Sequence, residues 1–286
     1  MLDREKQFIN TLKACGATFG IGDDGVLLDR FIFASDGFFE GVHFKREWGD
    51  LKAQLQKCFF VNLSDIYAMN AIPKYALLTI CIPKDFKESK NLAKTIAQIA
   101  KENGVLLIGG DTLVGDKLHI SLSIIGEKCK KILYRKGIKK GDYLAYLTPK
   151  SSLNLAKSQS FGKNIRHLKN ALRFNKISKN SRFFAPKLYP KMLLELNKEA
   201  KVGMDISDGI FMELSRLSAI NKLDFKLLRK KGEWFYSPEE YQMLYAFSTK
   251  RIKKAKNLAL KHRHNLVIFA RAKAGKYKIA KKNWHS

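Results

Sequence analysis

Asp24, Asp36, Asp65, Asp111, Asp205 and Asp208 put the heaviest demand on how this chain can fold. They stand in five short motifs: Gly22-Asp23-Asp24, Ser35-Asp36-Gly37, Asn62-Leu63-Ser64-Asp65, Gly109-Gly110-Asp111-Thr112 and Asp205-Ile206-Ser207-Asp208-Gly209. Left apart, each aspartate is an ordinary turn former or helix cap. Brought together, they make a nest of carboxylates whose repulsion only hard cations relieve. Asp65 argues for gathering, because helical spacing sets it on the side of Val61 and Met69, where an unpaired carboxylate is costly. Asp111 argues for it too, since the two glycines before it let backbone approach a ligand closely.

The motifs straddle a step in charge. Residues 1–127 carry 15 Lys and Arg against 16 Asp and Glu, and residues 128–286 carry 39 against 10, so net charges of −1 and +29 meet near Glu127. A chain of 286 residues with 45% apolar content has enough material for two packed cores. The step therefore predicts two domains, 1–127 and 128–286. A half this basic suits nucleic acid through counterion release, but its lysines are scattered without interleaved aromatic platforms, which reads as a solvated surface with no nucleic-acid partner. No apolar run approaches the roughly 20 residues that span a bilayer, and the charged start Met1-Leu2-Asp3-Arg4-Glu5-Lys6 has no apolar signal core. A cytoplasmic protein without a membrane partner is expected. Cys15, Cys58, Cys81 and Cys129 have no Cys-x-x-Cys spacing and read as reduced, buried thiols.

Periodicity predicts a mixed α/β first domain. A helix over 4–13 precedes strands at 26–28 and 31–34. A helix capped by Asp50 runs from Leu51 to about Met69. A buried strand over 75–82, a helix over 88–103 stopped by Gly104, and a strand over 105–108 ending at Gly109-Gly110-Asp111 come next. Alternation of Leu118, Ile120, Leu122 and Ile124 with polar neighbours marks a half-exposed strand. In the second half, strands are expected at 143–147, 202–204, 223–228, 242–247 and 266–270. Helices are expected at 151–159, 163–174, 190–201, 210–219 and 250–262, the fourth capped by Ser207 and Asp208.

Two nucleotide motifs are excluded. Gly20-Ile21-Gly22-Asp23-Asp24-Gly25 fits G-x-G-x-x-G, yet the residues after it read as extended rather than helical, and its two carboxylates repel a pyrophosphate unless metal intervenes. No G-x-x-x-x-G-K-[ST] loop occurs. An Asp-rich site without an evident Ser, Cys or His nucleophile system suits phosphoryl transfer, where Mg²⁺ and a nucleotide polyphosphate are the usual occupants.

Taken in order, Gly22-Asp23-Asp24, Val61-Asn62-Leu63-Ser64-Asp65 with Ala68-Met69, Ile108-Gly109-Gly110-Asp111-Thr112 and Met204-Asp205-Ile206-Ser207-Asp208-Gly209 resemble the motifs of bacterial thiamine-monophosphate kinases, from about residue 20 to 245. The resemblance implies the two-domain α/β fold of aminoimidazole ribonucleotide synthetase, with an N-terminal sheet that forms a homodimer interface. It also implies transfer of the γ-phosphoryl of ATP to thiamine monophosphate, with Mg²⁺ ions between the domains. By position, Asp24, Asp36, Asp65, Asp111, Asp205 and Asp208 correspond to metal ligands. Ser35, Gly110, Asp111, Arg135 and Ser207 correspond to ATP contacts, and His43, Glu239 and Trp284 to substrate contacts. The strand over 118–124 is expected to supply the sheet's exposed edge or face. The chain departs from the family in Ser237-Pro238, where Gly-Gly is usual, in the short stretch 221–236, and in lacking a Gly-rich turn after Thr148-Pro149. These departures leave open another ATP-using enzyme of the same fold group with a different acceptor.

Overall fold

The computed structural model describes residues 4–150, 161–175 and 181–277. The helix expected over 151–159 and the substrate contact expected at Trp284 lie outside the described residues.

After helix α1 (Arg4–Ala14), the first half builds β1 (Val26–Leu28), β2 (Phe31–Phe39), α2 (Leu51–Ala68), β3 (Ala71–Pro83), α3 (Ser89–Glu102), β4 (Leu106–Gly115) and β5 (His119–Lys128). Its sheet runs β1-β2-β5-β3-β4. Only β3 and β4 are parallel, because α3 crosses over between them; the other pairs are antiparallel. The Asp50 side chain accepts from Lys52 N at 3.3 Å and so caps α2 as expected.

Three expectations change here. First, β2 does not stop at Ala34 but carries Ser35 and Asp36 within the sheet, opposite Ser123 and Leu122. Second, β5 alternates as expected, with Ile120, Leu122 and Ile124 buried, yet it sits at the centre of the sheet; the edge strands are β1 and β4. Third, β4 does not end at the glycines. It runs on through Asp111 to Gly115, in register with β3 from Leu77–Gly109 to Pro83–Gly115. Gly110 has φ of +142°, and a Cβ there would stand 1.8 Å from Leu78 O, so only glycine lets the strand continue. Leu106, Leu107, Ile108, Leu113 and Val114 are all exposed along it.

The second half forms β6 (Tyr143–Pro149), α4 (Asn164–Phe174), α5 (Pro190–Asn197), β7 (Val202–Asp205), α6 (Ile210–Asn221), β8 (Asp224–Leu227), α7 (Glu233–Tyr236), β9 (Met243–Phe247), α8 (Ile252–Lys261) and β10 (His264–Lys273). Its sheet, β7-β9-β6-β10-β8, is antiparallel throughout. Gly209, rather than Ser207 or Asp208, caps α6, and no side chain bonds at the cap. Of the four cysteines only Cys58 is buried; all four are free.

Helix α2 joins the halves. Its Leu55, Phe59, Leu63 and Ile66 belong to one continuous core with Leu133, Leu147, Phe183, Met192, Leu196, Tyr245 and Phe247. A polar chain seals the join: Asn197 Nδ2 donates to Tyr67 O at 2.7 Å, and Tyr245 Oη donates to Asn197 Oδ1 at 2.7 Å. No described helix is long and apolar enough to cross a membrane.

Candidate active site

The motif Asn62-Leu63-Ser64-Asp65 lies in the last turns of α2, and three of its residues face the site by different routes. Asn62 Oδ1 accepts from Asp36 N at 2.9 Å while Nδ2 donates to Cys58 O at 3.1 Å, which fixes β2 against the helix. Ser64 Oγ reaches across to Asp205 Oδ2 at 3.2 Å, at the end of β7. Asp65 itself offers its carboxylate beside Asp24 and Asp205, with one oxygen from each of the three lying within 4.8 Å of the others. The leucine between them is fully buried and anchors the turn.

These three carboxyls behave as a set. Burial pushes Asp24 up from 3.8 to about 6, against the pull of Arg135. Asp65 rises well above the usual range, first through burial and then through the charges of Asp205, Asp36 and Asp24. Asp205 rises for the same reasons, with Asp24 its largest charged neighbour. Asp24 Oδ2 is buried without a hydrogen-bond partner. Hard oxygens this close, one of them unsatisfied and all three destabilised as anions, have the chemistry to accept a divalent cation such as Mg²⁺.

Around them opens a cavity of about 850 Å³. Its wall includes Asp24, Ser35, Asp36, His43, Asp65, Arg135, Asp205, Ser207, Asp208 and Glu239. Gly110 and Asp111 do not line it. They lie on exposed β4, where Asp111 Oδ1 accepts from the adjacent Thr112 N at 2.8 Å, so a single chain does not bring Asp111 to the other aspartates.

Basic side chains hold several of the acids. Arg135 donates to Asp24 through Nη2. Arg216 bridges Asp208 and Glu213, the latter at 2.7 Å. Lys57, on the buried side of α2 and 4.0 Å from the centre of the Phe183 ring, pairs with Glu239 Oε2. Glu239 stands in a left-handed turn, φ +52°. Buried Glu240 fixes that turn by accepting from Gly162 N at 2.9 Å, Ser237 Oγ at 2.7 Å and Arg182 Nε at 3.0 Å. Ser237-Pro238 thus keeps the turn anchored without the usual glycines. His43 Nδ1 accepts from Phe39 N at 3.0 Å, which puts the proton of the neutral ring on Nε2.

Sequence reasoning missed Lys57, Ser64 and Arg216. The first has a visible signal, a lysine one helical turn before Val61 on the face that carries Val61 and Ser64. The third sits three residues after Glu213, at ion-pair spacing.

Residues 22–127 match the family described as AIR synthase related protein, N-terminal domain. The thiamine-monophosphate kinase of Buchnera aphidicola subsp. Schizaphis graminum is 30% identical over 271 residues, covering 85% of this chain and 80% of that protein. That of Leptospira interrogans is 29% identical over 234 residues, covering 75% and 74%. In fold, the chain is similar to the solved structure of AaThiL complexed with AMPPCP and TMP, with a TM-score of 0.78 at 20% identity over 100% of this chain and 97% of that one.

Proposed function

Because the chain belongs to the thiamine-monophosphate kinase family, we propose that its cavity transfers the γ-phosphoryl group of ATP directly to thiamine monophosphate, with Mg²⁺ held by its aspartates. One observation carries this reading: the trio of buried Asp24, half-buried Asp65 and buried Asp205 at the wall of a cavity large enough for both substrates. An oxygen of the acceptor phosphate forms the new bond to the γ-phosphorus as the bond to the β–γ bridging oxygen breaks, and that electron pair leaves with ADP. The attacking oxygen is already anionic at neutral pH, so no general base is needed. His43 accords with this, because its Nδ1 is occupied by a backbone N–H and its protonated Nε2 suits contact rather than proton abstraction.

When bound, Mg²⁺ supplies the neutralisation that lets two phosphates approach. Asp24, Asp65 and Asp205 would hold it, with Asp36 and Asp208 at the margin. Arg135, Ser35 and Ser207 orient the nucleotide phosphates, and His43 and Glu239 the substrate, with Trp284 as the stacking aromatic. The unpaired, apolar edge of β4 supports a homodimer through the first sheet, in which Gly110 and Asp111 serve the site of a second copy.

Product analysis with ATP, Mg²⁺ and thiamine monophosphate tests the reading. Thiamine diphosphate and ADP in equal amounts are expected. ADP release with no thiamine diphosphate would favour another acceptor, and absence of ADP would overturn the kinase reading.

A further inference from the structure

Three arginines near the cavity are built differently. Arg182 is sealed, with its side chain 1% exposed and two bonds to Glu240. Arg135 is 17% exposed and holds Asp24. Arg216, on α6, is the most open of the three at 30%; it lines the cavity and bonds to Asp208 and Glu213 through one N–H on each terminal nitrogen. A guanidinium has five N–H donors, so three remain beyond these two bonds.

Glu213 makes Arg216 more than a surface pair. Its side chain is fully buried, its Oε1 accepts from Asp208 N at 3.1 Å and its Oε2 from Arg216, so the guanidinium is held at a fixed point at the start of α6. The charge of Glu213 also reaches Asp24, Asp205 and Arg135. Arg216 therefore belongs to the same charged wall as Arg135, on the side where the nucleotide phosphates are expected.

We propose that Arg216 is a second arginine for the nucleotide polyphosphate, offering its remaining donors to phosphate oxygens while Asp208 and Glu213 hold it in place. The proposal rests on the kinase reading of the cavity. A planar fork with two donors pinned is pre-organised for phosphate in a way that a free lysine is not. An arginine serving only as a brace has no need to face an 850 Å³ cavity.

The test compares the affinity of the full-length protein for AMPPCP and for AMP, with Mg²⁺ present, in the parent and in Arg216→Gln. Loss of charge-assisted bonds to phosphate should weaken AMPPCP by about tenfold to a hundredfold, with AMP changed less than about twofold. Equal losses for both ligands, or no loss for AMPPCP, overturn the proposal. Should Arg216→Gln fail to fold, Arg216→Lys carries the same comparison. A larger loss for AMPPCP than for AMP supports the proposal, and equal or absent losses overturn it. Parent turnover of thiamine monophosphate is assayed alongside. A parent that forms thiamine diphosphate while Arg216→Gln binds AMPPCP normally removes the inference alone. A parent that forms none, with AMPPCP weakened in the variant, removes the kinase reading alone.

Discussion

Asp24→Asn should stabilise the metal-free protein at neutral pH while removing its response to Mg²⁺. The carboxyl of Asp24 is raised from 3.8 to about 6, chiefly because it is buried. The folded state therefore keeps a proton between pH 3.8 and about 6 that the unfolded chain has already lost. Where the folded state binds more protons, stability falls as pH rises, so the loss accumulates across this window and persists above it. A rise of that size corresponds to about 3 kcal/mol. Asn keeps the shape of the protonated acid and cannot ionise, so the variant should match the parent near pH 4 and exceed it by about 3 kcal/mol at pH 7.5. For a chain of this size that is ~6 °C in Tm. Relief of Asp65 and Asp205, which both feel the charge of Asp24, adds to the gain. Thermal melts of both proteins in EDTA at pH 4.5, 6 and 7.5 measure the difference between the curves, in which titrations not coupled to Asp24 cancel. With Mg²⁺ and AMPPCP added, the parent should gain more than the variant. A constant difference across the pH range, or a variant that melts below the parent at pH 7.5, would refute the reasoning.

Lys57→Met should destabilise the protein by about 1–3 kcal/mol, since it leaves partly buried Glu239 without its cation; urea titration of Lys57→Met/Glu239→Gln should recover much of that loss, and full additivity would deny the pair. Sedimentation at micromolar concentration should give twice the chain mass, and Val114→Lys on the exposed face of β4 should shift it toward the monomer. An active parent monomer would remove the dimer. Trp284→Ala should weaken thiamine monophosphate binding by about 0.5–1.5 kcal/mol beyond lost area with little change for ATP; equal effects on the two ligands would deny the stack.

Much of the fold was legible because alternation and helical spacing are strong in the elements that form the cores. β5 shows this well, with Ile120, Leu122 and Ile124 buried in turn. The sequence was less informative where backbone geometry overrode local cues. Gly109-Gly110 reads as the end of a strand, yet Gly110 is there because the strand continues past Leu78 O with no room for a side chain. Five of the six aspartates line one cavity, and Asp111 stands apart because it belongs to that continuing strand. The cations that hold the acids were hidden by abundance. Among 54 lysines and arginines, nothing local distinguishes Arg216 from the solvated majority until α6 turns it toward Asp208.

The single core that α2 shares between the two sheets limits how this molecule can move. A cleft between independent lobes opens by rotation about a hinge. Here such a rotation would pull Leu55, Phe59 and Ile66 away from Met192, Leu196 and Tyr245, and would part Asn197 from Tyr67. Any adjustment of the cavity's mouth thus falls first to side chains and loops at its rim, which can move without parting that shared packing.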